Sequence, residues 1–261
     1  MLWITDFIKK LKTIERLEDI SLTTNGFYLP EMAKLLKQAG LNRVNISIDS
    51  LQKEKFKAIT GFDSMEKVLQ GIDAALQEGL TPVKINVVLL KGINDDEIED
   101  FINLTIDKPL NVRFIELMPT NHSLTQINEE NYISAQTVKN TIINKYPDMQ
   151  QAEMEKGFGP ASYFQLPNAK GKFGFINAVS QHFCASCNRL RLTAEGSLRP
   201  CLFSSKEIKL KEKLREIPQN QPEKREEIIR QCFKKAIQIK PFRHHIESKN
   251  TTEFDMSKIG G

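Results

Sequence analysis

Apolar residues recur in two alternating rhythms over the first 120 positions of the chain. TDFIKKLKTI (5–14) has the three-to-four spacing of an amphipathic helix, and DISLTTNG (19–26) reads as a buried strand ending in a glycine turn. PEMAKLLKQAGL (30–41) predicts a helix stopped by Gly40, and RVNISID (43–49) a second strand. SMEKVLQGIDAALQEGL (64–80) predicts a further helix and VKINVVLL (83–90) a third strand. DDEIEDFINLTI (95–106), with Asn94 as its expected cap, and NVRFIELM (111–118) complete the series. Strict strand–helix alternation with Val- and Ile-rich strands predicts a parallel sheet with right-handed crossovers.

Side-chain parity separates an open, doubly covered sheet from a curved one. Asn45, Ser47 and Asp49 share one face of their strand, opposite Val44, Ile46 and Ile48. Lys84 and Asn86 likewise oppose Val83, Ile85 and Val87. A sheet covered by helices on both sides has no place for those polar faces. A partial (β/α) barrel does: its concave side lines a wet cavity, with the site inside and at the strand C-terminal ends.

After Pro119 the pattern changes, which predicts one domain over 1–119 and a second over 120–261. PTNHSLTQINEENYISAQ (119–136) reads as a polar linker and AQTVKNTIINKY (135–146) as a helix. ASYFQLP (161–167) and KFGFINAV (172–179) read as two strands around a turn. NRLRLTAEGSLRPC (188–201) reads as a hairpin turning near Gly196. Two charge-balanced helical segments follow, 206–217 and 222–239, which read as solvated faces.

The net charge of +4 suits an anionic small molecule and falls short of a dedicated nucleic-acid binder. No apolar run is long enough to span a membrane, and the N-terminus lacks signal-peptide order, so a cytoplasmic protein is expected. In that reducing compartment clustered cysteines serve metals or catalysis. Cys184, Cys187 and Cys201 are spaced C-x2-C-x13-C, with Arg189 and Arg191 between the second and third. Thiolates in a tight turn can grip a metal centre, and the arginines carry forked donors suited to phosphate. A zinc knuckle, with His182 or Cys232 as fourth ligand, is the alternative, and the thirteen-residue spacing with NRLRL between favours a cluster. Cys232 has apolar neighbours at helical spacing and reads as a core residue. His244 and His245, being adjacent, read as surface residues.

Several landmarks in order make the chain resemble a known family. LTTNG (22–26), VNISIDS (44–50), VKINVVLLKGIND (83–95), VRFIELM (112–118), FCASCNRLRL (183–192), Cys201 and the terminal Gly260–Gly261 are similar to the molybdenum-cofactor biosynthesis protein A family. These are the radical S-adenosylmethionine enzymes that convert GTP to (8S)-3′,8-cyclo-7,8-dihydroguanosine 5′-triphosphate. The resemblance implies that Cys184, Cys187 and Cys201 hold a 4Fe-4S cluster whose open iron meets the purine of GTP. It implies that Thr23, Lys84, Arg189 and Arg191 bind GTP, and that Ser47 and Met118 contact S-adenosylmethionine, Met118 from the strand's end. The diglycine tail is implied to reach back into the active site.

The family also carries, ahead of LTTNG, a CxxxCxxC loop for a second 4Fe-4S cluster and a GGEP turn, and neither occurs in these residues. The expectation is an N-terminally truncated chain, from a misplaced start, a split gene or a degraded copy. Alone it would be inactive, a GTP- and cluster-binding fragment, and a homodimer or a complementing N-terminal fragment could complete its sheet. No nucleic acid or membrane partner is expected.

Overall fold

The computed structural model describes residues 2–118, 129–153, 159–181 and 183–243. Two compact units emerge, Met1–Leu117 with Ile127–Gln181, and Met118–Gln126 with His182–Gly261. The predicted C-terminal tail, His182, His244, His245 and most of the expected linker lie outside the described residues.

The first unit follows the predicted alternation. Helix α1 (Leu2–Lys12) precedes β1 (Ser21–Thr24), α2 (Leu29–Ala39), β2 (Arg43–Ser47), α3 (Lys53–Thr60), α4 (Met65–Gln77), β3 (Val83–Leu89), α5 (Ile98–Asp107) and β4 (Leu110–Glu116). Then come α6 (Ala135–Lys145), β5 (Gln150–Ala152), β6 (Ser162–Gln165) and β7 (Lys172–Ile176). The strands form one seven-stranded sheet in the order β1-β2-β3-β4-β7-β6-β5. β1 to β4 pair in parallel, β7 joins β4 in parallel, and β6 and β5 add antiparallel pairs. Because β1 to β4 lie side by side in chain order, right-handed crossovers put their helices on one face. This mixed α/β unit with a sequential parallel sheet agrees with the expected partial β/α fold.

The covered face is the core. Val44, Ile46, Val83, Ile85, Leu110, Val112, Phe114 and Phe173 are fully buried against helix residues such as Leu36, Ile72 and Phe101. Phe114 stacks on Phe175 at 5.7 Å between ring centroids and meets Phe101 edge-on at 6.3 Å. Each such ring contributes roughly 1.5–3 kcal/mol by burial. Gly26, at φ +79°, turns the chain after β1, and its carbonyl lies where a Cβ on Gly71 of α4 would come within 2.5 Å. Only glycine at 71 lets α4 approach that turn.

Two expectations are corrected, and two short elements had no reading in the sequence. β1 is a half-exposed edge strand rather than a buried one, because among the described residues it pairs only with β2. Asn94 does not cap α5, whose N-cap is Glu97. Its amide instead donates to the carbonyls of Asp49 and Val88, and its oxygen accepts from the N–H of Leu90. α3 carries one buried side chain, Phe56, too little periodicity to read, and β5 (QQA) exists only through pairing with β6. Each compact unit is built from two stretches of the chain. Pairing of β7 with β4 carries residues 127–181 into the first unit.

The second unit holds a short 3-10 turn at Cys184–Ser186, a two-stranded hairpin of β8 (Arg191–Leu192) and β9 (Leu198–Arg199), α7 (Leu210–Arg215) and α8 (Pro222–Gln238). Gly196 turns the hairpin at φ +87°. A small core of Leu198, Ile208, Leu210, Cys232 and Ala236 fastens α8 to the hairpin, so Cys232 is a core cysteine as read.

Candidate functional site

Opposite its helix-covered face, the sheet of the first unit carries polar side chains in register. Thr23, Asn45, Lys84 and Asn111 are paired successively across β1 to β4, and Ser47, Asn86 and Arg113 form the next row towards the strand C-termini. Parity alone puts all seven on one face. They are tied together: Asn45 Nδ2 donates to Thr23 Oγ1 at 3.1 Å, and Arg113 donates through Nε to Asn86 Oδ1 at 2.8 Å and through Nη2 to Asn45 Oδ1 at 3.0 Å. Thr23 and Ser47 are exposed, whereas Lys84 is only 2% exposed. An ammonium so placed in a polar row, with a guanidinium in the next, suits a polyanion lying across the strands. Gly174, opposite Arg113 on β7, adds no side chain to this row.

Carboxylates organise the C-terminal ends of these strands. Asp49 accepts the N–H of Val88 at 2.7 Å, but burial outweighs that bond and its carboxyl is pushed up to about 6. Fully buried Glu97 accepts from Ser50 Oγ and from the N–H of Leu51 at 2.7 Å, and Lys55 Nζ stands 3.5 Å away. Glu116, also fully buried, accepts the N–H groups of Ala135, Val179 and Ser180 and the hydroxyl of Ser180. Its charge thus sits at the N-terminus of α6, where the helix dipole favours an anion. Burial, and then the Glu116 charge, raise the Tyr132 phenol above its ordinary value. Met118 follows β4 by two residues and is partly buried.

In the second unit cations surround the cysteine segment. All four cysteines are free, and Cys184, Cys187 and Cys201 are partly exposed. Burial raises the Cys187 thiol, but the N–H of Arg189 and the charges of Lys240 and Arg189 outweigh it, so the thiol lies below its ordinary value. Arg191 pairs across the hairpin with Arg199, and both guanidinium groups lie within electrostatic reach of Cys201. Burial, then repulsion from Arg189, lowers the Arg191 guanidinium, and its Nε is buried without a hydrogen-bond partner among the described residues. Arg189 stacks over Phe183, its Cζ 4.8 Å from the ring centroid. Lys240, just beyond α8, donates to the carbonyls of Arg189 at 2.6 Å and Pro200 at 3.1 Å, and stands 3.6 Å from Cys187 Sγ.

Among the described residues no three His, Cys, Asp or Glu side chains converge closely enough to hold one metal ion. Three thiols with neighbouring cations are a donor set that an iron–sulfur cluster would suit. Tetrahedral zinc would draw its thiolates within about 3.8 Å of one another, given Zn–S bonds of about 2.3 Å. A cubane cluster gives each thiolate its own iron and tolerates wider spacing. Soft thiolates, cations against the cluster's negative charge and an orphaned buried arginine donor all fit that group.

Of the residues singled out in the sequence, Thr23, Ser47 and Lys84 meet on the polar sheet face. Cys187, Cys201, Arg189 and Arg191 share one neighbourhood in the second unit. Asn86, Arg113, Arg199 and Lys240 were not singled out as site residues. The parity of β3 and β4 could have found the first two and the hairpin register Arg199, but no local signal marks Lys240.

Comparison with known proteins bears on the same residues. Residues 3–105 match the family model for the radical SAM superfamily, and residues 110–246 that for Molybdenum Cofactor Synthesis C. The chain is 46% identical over 260 residues to a GTP 3′,8-cyclase of Alkaliphilus oremlandii, covering 99% of this chain and 77% of that protein. It is 45% identical to one of Petrotoga mobilis and 42% identical to one of Listeria monocytogenes, with the same shares covered.

Proposed function

The chain belongs to the GTP 3′,8-cyclase family, and from that premise we propose that it handles the substrate side of the cyclase reaction of molybdenum cofactor biosynthesis, in the cytoplasm. The observation that carries this reading is identity of 42–46% to such cyclases along nearly every residue of the chain. The radical SAM superfamily implies S-adenosylmethionine and iron–sulfur chemistry. Residue assignments are part of the proposal. Cys184, Cys187 and Cys201 would hold a 4Fe-4S cluster, which with three protein thiolates leaves one iron open to a ligand atom of the purine.

The chain's own groups then divide the remaining work. Arg189 and Arg191 supply fixed positive charge and forked donors to phosphate, and the unpartnered Nε of Arg191 is a donor awaiting an acceptor. In the first unit, Lys84 and the Thr23 hydroxyl would offer GTP a cation and a hydrogen-bonding group from the sheet face. Ser47, at the C-terminal end of β2, and Met118, just past β4, would contact S-adenosylmethionine, the position where parallel strands present ligands.

Anaerobic reconstitution with iron and sulfide, followed by iron counting and absorbance with and without GTP, tests the reading. About four irons per chain and a spectrum that responds to GTP are expected. Zinc in place of iron, or no response to GTP, refutes it.

A further inference from the structure

We infer that Lys240 is a positioning residue for the cysteine-bound cluster, fixing its ligand-bearing arms and donating to a ligand sulfur. This rests on the cluster reading above. An ammonium has three donors and no acceptor, and each N–H of Lys240 has an acceptor in the same small region. Two are carbonyls, Arg189 O at 2.6 Å and Pro200 O at 3.1 Å, and the third is Cys187 Sγ at 3.6 Å. Arg189 lies two residues past Cys187, and Pro200 immediately precedes Cys201. One side chain therefore ties the arm that leaves one ligand to the arm that enters another.

The position of Lys240 is itself determined by packing. Its N–H bonds the carbonyl of Ile237 at the end of α8, and α8 is held to the hairpin through Cys232 and Ala236 against Leu198, Ile208 and Leu210. A cation at a helix C-terminus is also favoured by the dipole. The hairpin, with only two residues per strand, has little of its own to fix the spacing of its ends. Two carbonyl bonds from one ammonium supply that constraint. The third donor faces sulfur, and a donor and a positive charge beside a ligand sulfur stabilise the more negative, reduced state of a cluster, raising its reduction potential.

The test uses the full chain, reconstituted anaerobically, with K240M and K240R beside the wild type. Iron and sulfide content, the midpoint potential from an EPR-monitored redox titration, and thermal melting of the apo chain are read for each. K240M is expected to melt somewhat below the wild type, having lost two bonds to backbone carbonyls, and either to lose iron or to keep it at a more negative potential. K240R, which retains charge and donors, is expected to recover most of the difference. A K240M chain with wild-type iron content and potential overturns the inference. So does a K240R chain that loses iron or shifts in potential as far as K240M does, since it keeps the charge and the donors. If the wild type itself takes up no iron, the cluster reading fails first and the inference falls with it, an outcome visible before any variant is measured.

Discussion

Replacing Glu116 by glutamine asks whether one buried carboxylate holds the C-terminal end of β4 together. Its Oε1 accepts the N–H of Ala135 at 2.9 Å and the hydroxyl of Ser180, and its Oε2 accepts the N–H groups of Val179 and Ser180, both at 2.8 Å. The carboxylate is fully buried, so water cannot replace a lost acceptor. A glutamine can turn its oxygen towards Val179 and Ser180, but its NH2 then faces the N–H of Ala135. Stranding that donor costs about 1–3 kcal/mol, and the remaining bonds drop from charge-assisted to neutral strength at about 1 kcal/mol each. The expected loss is about 3–5 kcal/mol, a fall in melting temperature on the order of 10 °C for a chain of this size. Urea unfolding followed by circular dichroism measures it. S180A, which removes only the hydroxyl donor, should cost about 1 kcal/mol. A loss below about 1 kcal/mol in E116Q would mean that the donors find other acceptors, and the reasoning would fail.

Three further outcomes are expected. R189A and R191A should each weaken GTP binding to the reconstituted chain by roughly 10- to 150-fold, the worth of a charge-assisted contact, and calorimetric titration with unchanged affinity in both would remove them from the site. F114A should destabilise the chain by about 3–5 kcal/mol, since Phe114 is fully buried between Phe101 and Phe175; equilibrium unfolding checks this. Asp49, raised from 3.8 to about 6 by burial, binds its proton more tightly when folded. The stability this lends is complete below about pH 3.8 and lost as pH rises to about 6, up to about 3 kcal/mol. D49N keeps an acceptor for the N–H of Val88, so it should be more stable than the wild type at pH 7 and not at pH 3.5. Equal differences at both pH values would refute the assignment.

Much of this protein was determined by the sequence alone. The period of apolar residues placed β2, β3, β4, α4 and α5, because burying one face of a strand or helix demands that spacing whatever lies around it. Parity on RVNISID and VKINVV also announced a polar sheet face, since alternate side chains of a strand cannot avoid opposite sides. The cysteines and arginines of the cysteine segment were legible as candidate ligands from residue type and spacing, and Cys187, Cys201, Arg189 and Arg191 share one neighbourhood. Tertiary structure decided what depends on partners distant in the chain. β1 is an edge because nothing described pairs with its other side, and β5 is a strand only because β6 bonds it. Asn94 and Glu116 look like a cap and a strand end in the sequence, yet they serve backbone groups of other segments. Lys240 lies 53 residues from Cys187. Only the docking of α8 brings its ammonium to that sulfur, because hydrogen bonds and charge act through space and leave no period in the chain.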